Sequence, residues 1–403
     1  MVPIAPRQRW WGWLIAIIGL VLLVVIAVAS LLPATLVAEK EDPQTGAVEE
    51  TPYAQTPASA EAVDDRVEFG DLPDEVARFS PTGSFYFVTV TAPRQSVLSW
   101  FVGRDDAAID FLTYEDKYGT RTPTQRREVN LQAMRTAEQE AQYLALTTVG
   151  YDAEITEGEV IVQEVLCKEV ADDGSCAEEY PSGEQIDPAD TILEVGGVAV
   201  QTVTELSAEL AGLEPGDTVT LLIDRPEEGE LTVEVELSAA PDDPDRTIVG
   251  FVPFDTQAVT LPFEIDIQTD RIGGPSAGLA FTLSLIDELT EADLTGGRKI
   301  AVTGTIALDG SVGAIGGLYQ KANAVHQNGI DVFLVPASQP ELADEARRQR
   351  LDEAGRGDVE IVPVATLDEA LDALEELGGE PLIQVDESTG TGAEDDAGDG
   401  ADD

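Results

Sequence analysis

The feature that most constrains this chain is an uninterrupted uncharged run from Trp10 to Leu32, long enough to cross a bilayer core as one helix. Arg7 and Arg9 precede the run, while Glu39, Glu41 and Asp42 follow it around Lys40. The positive-inside bias places the N-terminus in the cytoplasm and everything beyond Pro33 outside the cell membrane, in a single pass. Trp10, Trp11 and Trp13 suit the interfacial belt. A cleaved signal peptide is the rival reading, because small residues such as Ala29 and Ser30 follow the apolar core. The run is longer than a usual signal core, which favours an uncleaved anchor. On either reading the bulk of the chain is exported.

Charge narrows the partners. Asp and Glu total 78 against 23 Lys and Arg, a formal net charge of −55. A field of that sign repels phosphate backbones and anionic lipid, so nucleic acid is excluded as a partner. With 403 residues, 43% of them hydrophobic, the chain can bury two or three cores. Cys167 and Cys176 are its only cysteines, and in an exported chain that spacing predicts one local disulfide. His326 is the sole histidine, so a zinc site lacks ligands and a cysteine nucleophile lacks its base.

Composition divides the chain after the anchor segment, 1–33. Residues 34–65 are rich in Ala, Pro, Thr, Gln and acid without apolar periodicity, and are expected to form a flexible linker. Residues 66–150 open on a strand at Gly83–Val90, close on a helix at Arg127–Thr148, and are expected to pack with the domain that follows. In 151–238, β runs at Glu159–Val165, Thr218–Ile223 and Leu231–Leu237 are separated by turns at Gly196-Gly197 and Pro215-Gly216. Residues 247–378 alternate strand and helix, the pattern of an α/β domain. Strands are expected at Phe263–Gln268, Ile300–Leu308, Asp331–Pro336 and Val359–Val364. Helices are expected at Ser276–Leu289, Gly317–Asn328, Pro340–Leu351 and Thr366–Leu377, the last with a Thr366/Glu369 capping box. The acidic tail 384–403 is expected to be disordered.

The chain has no GxxxxGK[ST] loop and no HExxH, so neither nucleotide hydrolysis nor a metalloprotease site is supported. A nucleophile with a non-histidine base remains. Gly273-Gly274-Pro275-Ser276-Ala277-Gly278 joins an expected strand to an apolar helix. Pro275 suits the first helical position with Gly274 as the cap, which would put Ser276 in the first turn. The glycines admit a substrate backbone, and unpaired first-turn N–H groups can stabilise an oxyanion. Alone, a serine in such a turn is more often structural. Lys321 lies with Leu318, Ala322 and Val325 on the apolar stripe of its helix. Burial there would lower the lysine's pKa and let a neutral amine take the serine's proton. The alternative is a lysine that snorkels to the surface from the stripe's edge.

Two resemblances add to this reading. Pro188 to Val200, Leu206 to Leu213 and Pro215-Gly216-Asp217 resemble a PDZ domain of the kind attached to bacterial proteases. That likeness implies a sheet edge that an extended peptide can join. Further on, three blocks resemble the proteolytic domain of Lon-type proteases: Gly274-Pro275-Ser276-Ala277-Gly278, Thr303 to Gly310, and Val312 to Lys321. Asn328-Gly329-Ile330 and Leu334-Val335-Pro336 continue the match. It implies an α/β domain like the second domain of ribosomal protein S5, with Ser276 as nucleophile and Lys321 as base. Thr303 would support the amine, with Gly274 and Ala277 shaping the turn. Many ATP-dependent relatives carry Asp three residues before the serine, where this chain has Gly273.

The order of segments resembles the ATPase-free, PDZ-containing Lon-like proteases of bacteria. The expectation is a multidomain, membrane-anchored serine endopeptidase with a Ser–Lys dyad that acts on unfolded or exposed protein segments without ATP, metal or other cofactor. Related protease domains often form rings, so a homo-oligomer is among the expectations. The alternatives are a non-catalytic membrane-anchored PDZ scaffold and a dedicated membrane-protein processing peptidase. Asp270 is a candidate for orienting substrate. His326, about 140° around the helix from Lys321, is set aside as a base.

Overall fold

The computed structural model describes residues 9–41, 46–171, 175–226, 228–241, 243–244, 246–269, 272–339 and 359–382. Asp270, the helix expected at Pro340–Leu351 and the tail 384–403 lie outside the described residues.

Helix α1 (Arg9–Leu31) carries the apolar run; at 1.5 Å per residue its 23 residues span about 35 Å. Its described side chains are almost all exposed, and the helix is long and apolar enough to cross a membrane. A 3₁₀ turn at Ala34–Leu36 leads to a hairpin of β1 (Glu39–Glu41) and β2 (Val48–Glu50). Then come β3 (Tyr53–Ala62), β4 (Val67–Phe69), β5 (Ser84–Thr91), α2 (Val97–Gly103), β6 (Asp110–Leu112), α3 (Tyr114–Tyr118) and the long α4 (Pro123–Thr148). A capping box between Thr122 and Gln125, with Pro123 at the first helical position, starts α4 one turn earlier than its apolar pattern suggests.

The middle domain comprises β7 (Glu154–Val165), β8 (Cys167–Val170), β9 (Cys176–Glu179), β10 (Thr191–Val195), β11 (Val198–Ala199), α5 (Val203–Leu210), β12 (Thr218–Arg225), β13 (Gly229–Glu236), β14 (Ser238–Ala239), β15 (Thr247–Ile248) and β16 (Phe251–Thr260). Cys167 and Cys176 are bonded across the β8–β9 hairpin. The antiparallel order β13-β12-β10-β7-β16 makes β16 one edge of the sheet. Val160, Val162, Ile192, Leu206, Leu221 and Ile223 form the core beneath it. Fully buried Asp190 accepts two hydrogen bonds from the Arg225 guanidinium, at 2.9 and 2.7 Å. Arg225→Ala would strand that carboxylate, and is expected to lower stability in urea titrations by about 3 kcal/mol, with partial recovery in Arg225→Lys.

The C-terminal domain contains β17 (Ile265–Ile267), α6 (Gly278–Leu289), β18 (Lys299–Val302), β19 (Thr305–Ile306), β20 (Val312–Gly313), α7 (Leu318–Gln327), β21 (Val332–Pro336), β22 (Glu360–Val364) and α8 (Leu367–Glu376). Its sheet runs β22-β21-β18-β5-β3-β6, parallel from β22 to β5 and antiparallel beyond. Both faces are covered, which is why Val332-Phe333-Leu334-Val335 is apolar without alternation. Phe85, Phe87, Ile300, Val302, Val332 and Leu334 meet α6 and α4 on one face; Val88, Ala301, Phe333 and Val335 meet α7 on the other.

Two expectations are corrected. Residues 34–65 are not a flexible linker, because β3 is an integral strand of this sheet. Its pattern is weak because α7 crosses close above it, so a small residue, Ala60, packs there and gives no bulky alternation. Residues 66–150 do not pack mainly with the middle domain: β5 is hydrogen-bonded into the C-terminal sheet beside β18, and α4 lies along α6. Only one side of α4 touches β7 and β16, so that helix bridges the two domains. A shortened protein starting at residue 66 loses β3 and is expected to fail to give a cooperative thermal transition.

Candidate active site

The turn before α6 is shaped by α4. Gly274 has φ +96°, and its N–H donates to the Asn130 carbonyl at 2.7 Å. A Cβ on Gly273 would lie 2.8 Å from Asn130 Cβ and 3.2 Å from its backbone carbon. The missing Asp at 273 thus has a cause: α4 packs too closely for a side chain there. The helix begins at Gly278 with Ala277 at the cap, two residues later than expected. The Ser276 carbonyl is turned away from the helical ladder, and accepts the Gly304 N–H at 3.0 Å and the Thr303 hydroxyl at 3.0 Å. Ser276 therefore sits in the turn itself. Its N–H and that of Ala277 have no hydrogen-bond partner among the described residues.

The expected strand over Ile300–Leu308 breaks into β18 and β19 at Thr303-Gly304, where Gly304 takes φ +154°. The break aims Thr303 Oγ1, fully buried, at the Ser276 turn. Gly317, at φ +67°, starts α7, and the Lys321 N–H donates to its carbonyl at 2.9 Å. A Cβ on Gly317 would meet Gln55 Nε2 at 2.9 Å and Val90 Cγ1 at 3.2 Å, both on the N-terminal strands. Gly317→Ala is expected to lose roughly 1–2 kcal/mol of stability and to reduce turnover by shifting α7, read by calorimetry and by proteolysis rate.

Lys321 is 3% exposed. Its Nζ lies 2.7 Å from Ser276 Oγ and 3.0 Å from Thr303 Oγ1. Among the described residues no carboxylate lies within ion-pair distance of it. Burial alone pulls its pKa down to about 7. The hydrogen-bond polarity is fixed as well. Because the Thr303 hydroxyl donates to the Ser276 carbonyl, its oxygen accepts an N–H from Lys321. A neutral amine held this way can turn its lone pair to the Ser276 hydroxyl.

The dyad opens into a cleft of about 640 Å³. One wall is β3 and β5, with Gln55 and Val90; another is α4, with Asn130 and Met134. These residues were missed by sequence reasoning. The signal available was the apolar spacing Met134, Ala137, Ala141, Leu144, Ala145 along α4, which marks a helix packed on a buried partner. His326 lies in the last turn of α7 and is not among the hydrogen-bond partners of the Lys321 amine, which are Ser276 and Thr303 among the described residues.

Residues 270–376 match the family described as the Lon protease (S16) C-terminal proteolytic domain. The chain carries a Lon-type proteolytic domain. Residues 148–237 match the PDZ domain family. The Lon protease of Xanthomonas oryzae pv. oryzae is 41% identical over 100 residues, which are 25% of this chain and 11% of that protein. The Lon protease of Chloroflexus aggregans is 37% identical over 97 residues, 24% of this chain and 11% of its own length. Lon protease 1 of Myxococcus xanthus is 36% identical over 125 residues, 29% of this chain and 14% of its own. The likeness thus covers 11–14% of the length of these relatives. A solved PDZ domain of an SdrC-like protein from Listeria monocytogenes superposes with a TM-score of 0.20 and 18% identity, over 25% of this chain and 92% of that one; it carries no weight. The Lon-type match begins at residue 270, so β3, β5 and α4, which complete the Lon-type domain's sheet and cleft, lie outside it.

Proposed function

We propose that the chain is a membrane-anchored serine endopeptidase that cleaves unfolded or exposed protein segments outside the cytoplasmic membrane, without ATP. The observation that carries this reading is the 2.7 Å approach of a buried, carboxylate-free Lys321 amine to Ser276 Oγ. In the proposed reaction neutral Lys321 takes the Ser276 proton as Oγ attacks a peptide carbonyl. The tetrahedral oxygen is met by the Ser276 and Ala277 N–H groups. Lys321 returns the proton to the leaving amine, and a water activated by the same amine then releases the acyl group from Ser276. Thr303 is a positioning residue. Thr303→Val keeps the shape but removes one hydrogen bond to the amine, and is expected to lower kcat about tenfold with little change in KM.

The anchor reading rests on α1, whose length and exposure suit a bilayer. The PDZ domain supplies a recruiting or gating surface. Its edge strand β16 lies beside α5, where the Val203 N–H donates to Asp255 at 2.5 Å. The chain runs from β16 through β17 to Ser276, so a peptide joining that edge would act on the segment that leads to the nucleophile's turn. The test uses the full chain in detergent with unfolded casein, with and without ATP and EDTA. Wild type should cleave under every condition, and Ser276→Ala under none. Equal cleavage by both proteins, or a requirement for nucleotide, would refute the proposal.

A further inference from the structure

Helix α2 exposes apolar side chains that none of the described residues covers: Phe101 is 57% and Val102 74% exposed. A capping box between Ser96 and Ser99 fixes where this short helix starts. Its position is set by the end of α1. The Val97 N–H donates to the Leu32 carbonyl at 2.9 Å, and the Ala34 N–H to the Gln95 carbonyl at 3.0 Å. α1 and the Ala34–Leu36 turn both pack against α2. Leu31 and Leu36, 85% and 62% exposed, continue the apolar surface beside the α1 exit.

We propose that α2 lies in the outer interface of the bilayer, with Phe101 and Val102 among the lipid chains just below the headgroups. The inference rests on the reading of α1 as a membrane span. If α1 fills the hydrocarbon core, Leu31 and Leu32 mark its outer boundary, and α2 is tied to that boundary by backbone hydrogen bonds. The surface is therefore continuous with the lipid-facing surface of α1, and a bilayer already occupies that level. The side chains suit the place. Trp100 is half-buried beside the patch, and the Arg104 guanidinium lies over the rings of Phe101 at 4.4 Å and Trp100 at 5.6 Å, an arrangement that lets the charge reach up to the headgroups. A net charge of −55 gives no electrostatic attraction to anionic lipid, so apolar insertion carries the contact. The catalytic domain is then held at one height and orientation over the membrane, because β3, a wall of the cleft, follows the hairpin β1–β2 after only two residues.

The test reconstitutes the full chain in phosphatidylcholine vesicles with one polarity-sensitive fluorophore on an introduced cysteine. The native cysteines are bonded to each other and leave no free thiol to compete. Labels go on Val102→Cys, on Leu36→Cys as an independent second position, on Leu22→Cys within α1, and on Glu209→Cys of the PDZ domain as an aqueous reference. Iodide quenches from water, and nitroxide-bearing lipids quench from the bilayer. The expected result is lipid quenching at Val102 and Leu36 with iodide quenching several-fold weaker than at Glu209. Iodide quenching at both positions equal to that at Glu209 would overturn the proposal. So would protection from both quenchers, which would mean that a second copy of the chain covers α2. The Leu22 label separates the premises: lipid quenching there without any at Val102 removes only the interfacial helix, whereas none at Leu22 removes the anchor reading too.

Discussion

Ser276→Ala is expected to reduce casein hydrolysis by about four orders of magnitude or more, to background, while thermal unfolding stays within a degree or two of wild type. Such a loss needs the hydroxyl to be the attacking group: among the described residues the Lys321 amine is hydrogen-bonded to two hydroxyls, and that of Thr303 is fully buried and already donates to the Ser276 carbonyl. A purely structural serine predicts the reverse: altered stability and retained cleavage. Among the described residues the side chain makes one hydrogen bond, to Lys321, so its removal disturbs little of the turn, which is held through the Ser276 carbonyl.

The second large effect belongs to Lys321→Met, which should lower activity by about 10³-fold and yet raise stability. The sign follows from the proton balance. The folded amine titrates at about 7, whereas an unfolded lysine titrates near its ordinary 10.5. Between those two pH values the unfolded chain binds the extra proton, so wild-type stability rises with pH across that window and is level below about 7. In the acidic plateau the buried amine costs the fold roughly 5 kcal/mol. Methionine removes that penalty but also two hydrogen bonds, leaving a net gain of roughly 3 kcal/mol at pH 6. The gain should shrink as pH rises toward 10, and urea titrations at several pH values would show it. Wild-type kcat/KM should rise through about pH 7 and level off above, because only the neutral amine accepts a proton.

The α/β domain and its dyad were legible because the residues that make them are unusual for their positions. A lysine on the apolar stripe of α7 and a serine between glycines at a strand-to-helix turn both break local rules, and the structure brings them together. The N-terminal half of the sheet was not legible. β3 carries four alanines, Ala60 among them packing beneath α7, and the partner strand β5 begins more than twenty residues further on. Sequence periodicity reports burial against bulky neighbours and has no signal for a strand packed through small ones. The same closeness explains Gly273 and Gly317, whose missing side chains make room for α4 and for Gln55. The helix start was misplaced because the Ser276 carbonyl is claimed by Thr303 and Gly304, contacts 27 and 28 residues away that no local pattern encodes.

The most direct test of the dyad is the rate at which a serine-directed covalent reagent modifies the full chain as pH is varied, with the site read by peptide mass spectrometry. One adduct is expected, on Ser276, forming faster as pH rises through about 7 and falling to background in Lys321→Met. A folded protein whose Ser276 stays unmodified at every pH, or reacts as fast without Lys321 as with it, would rule out a Ser276–Lys321 dyad.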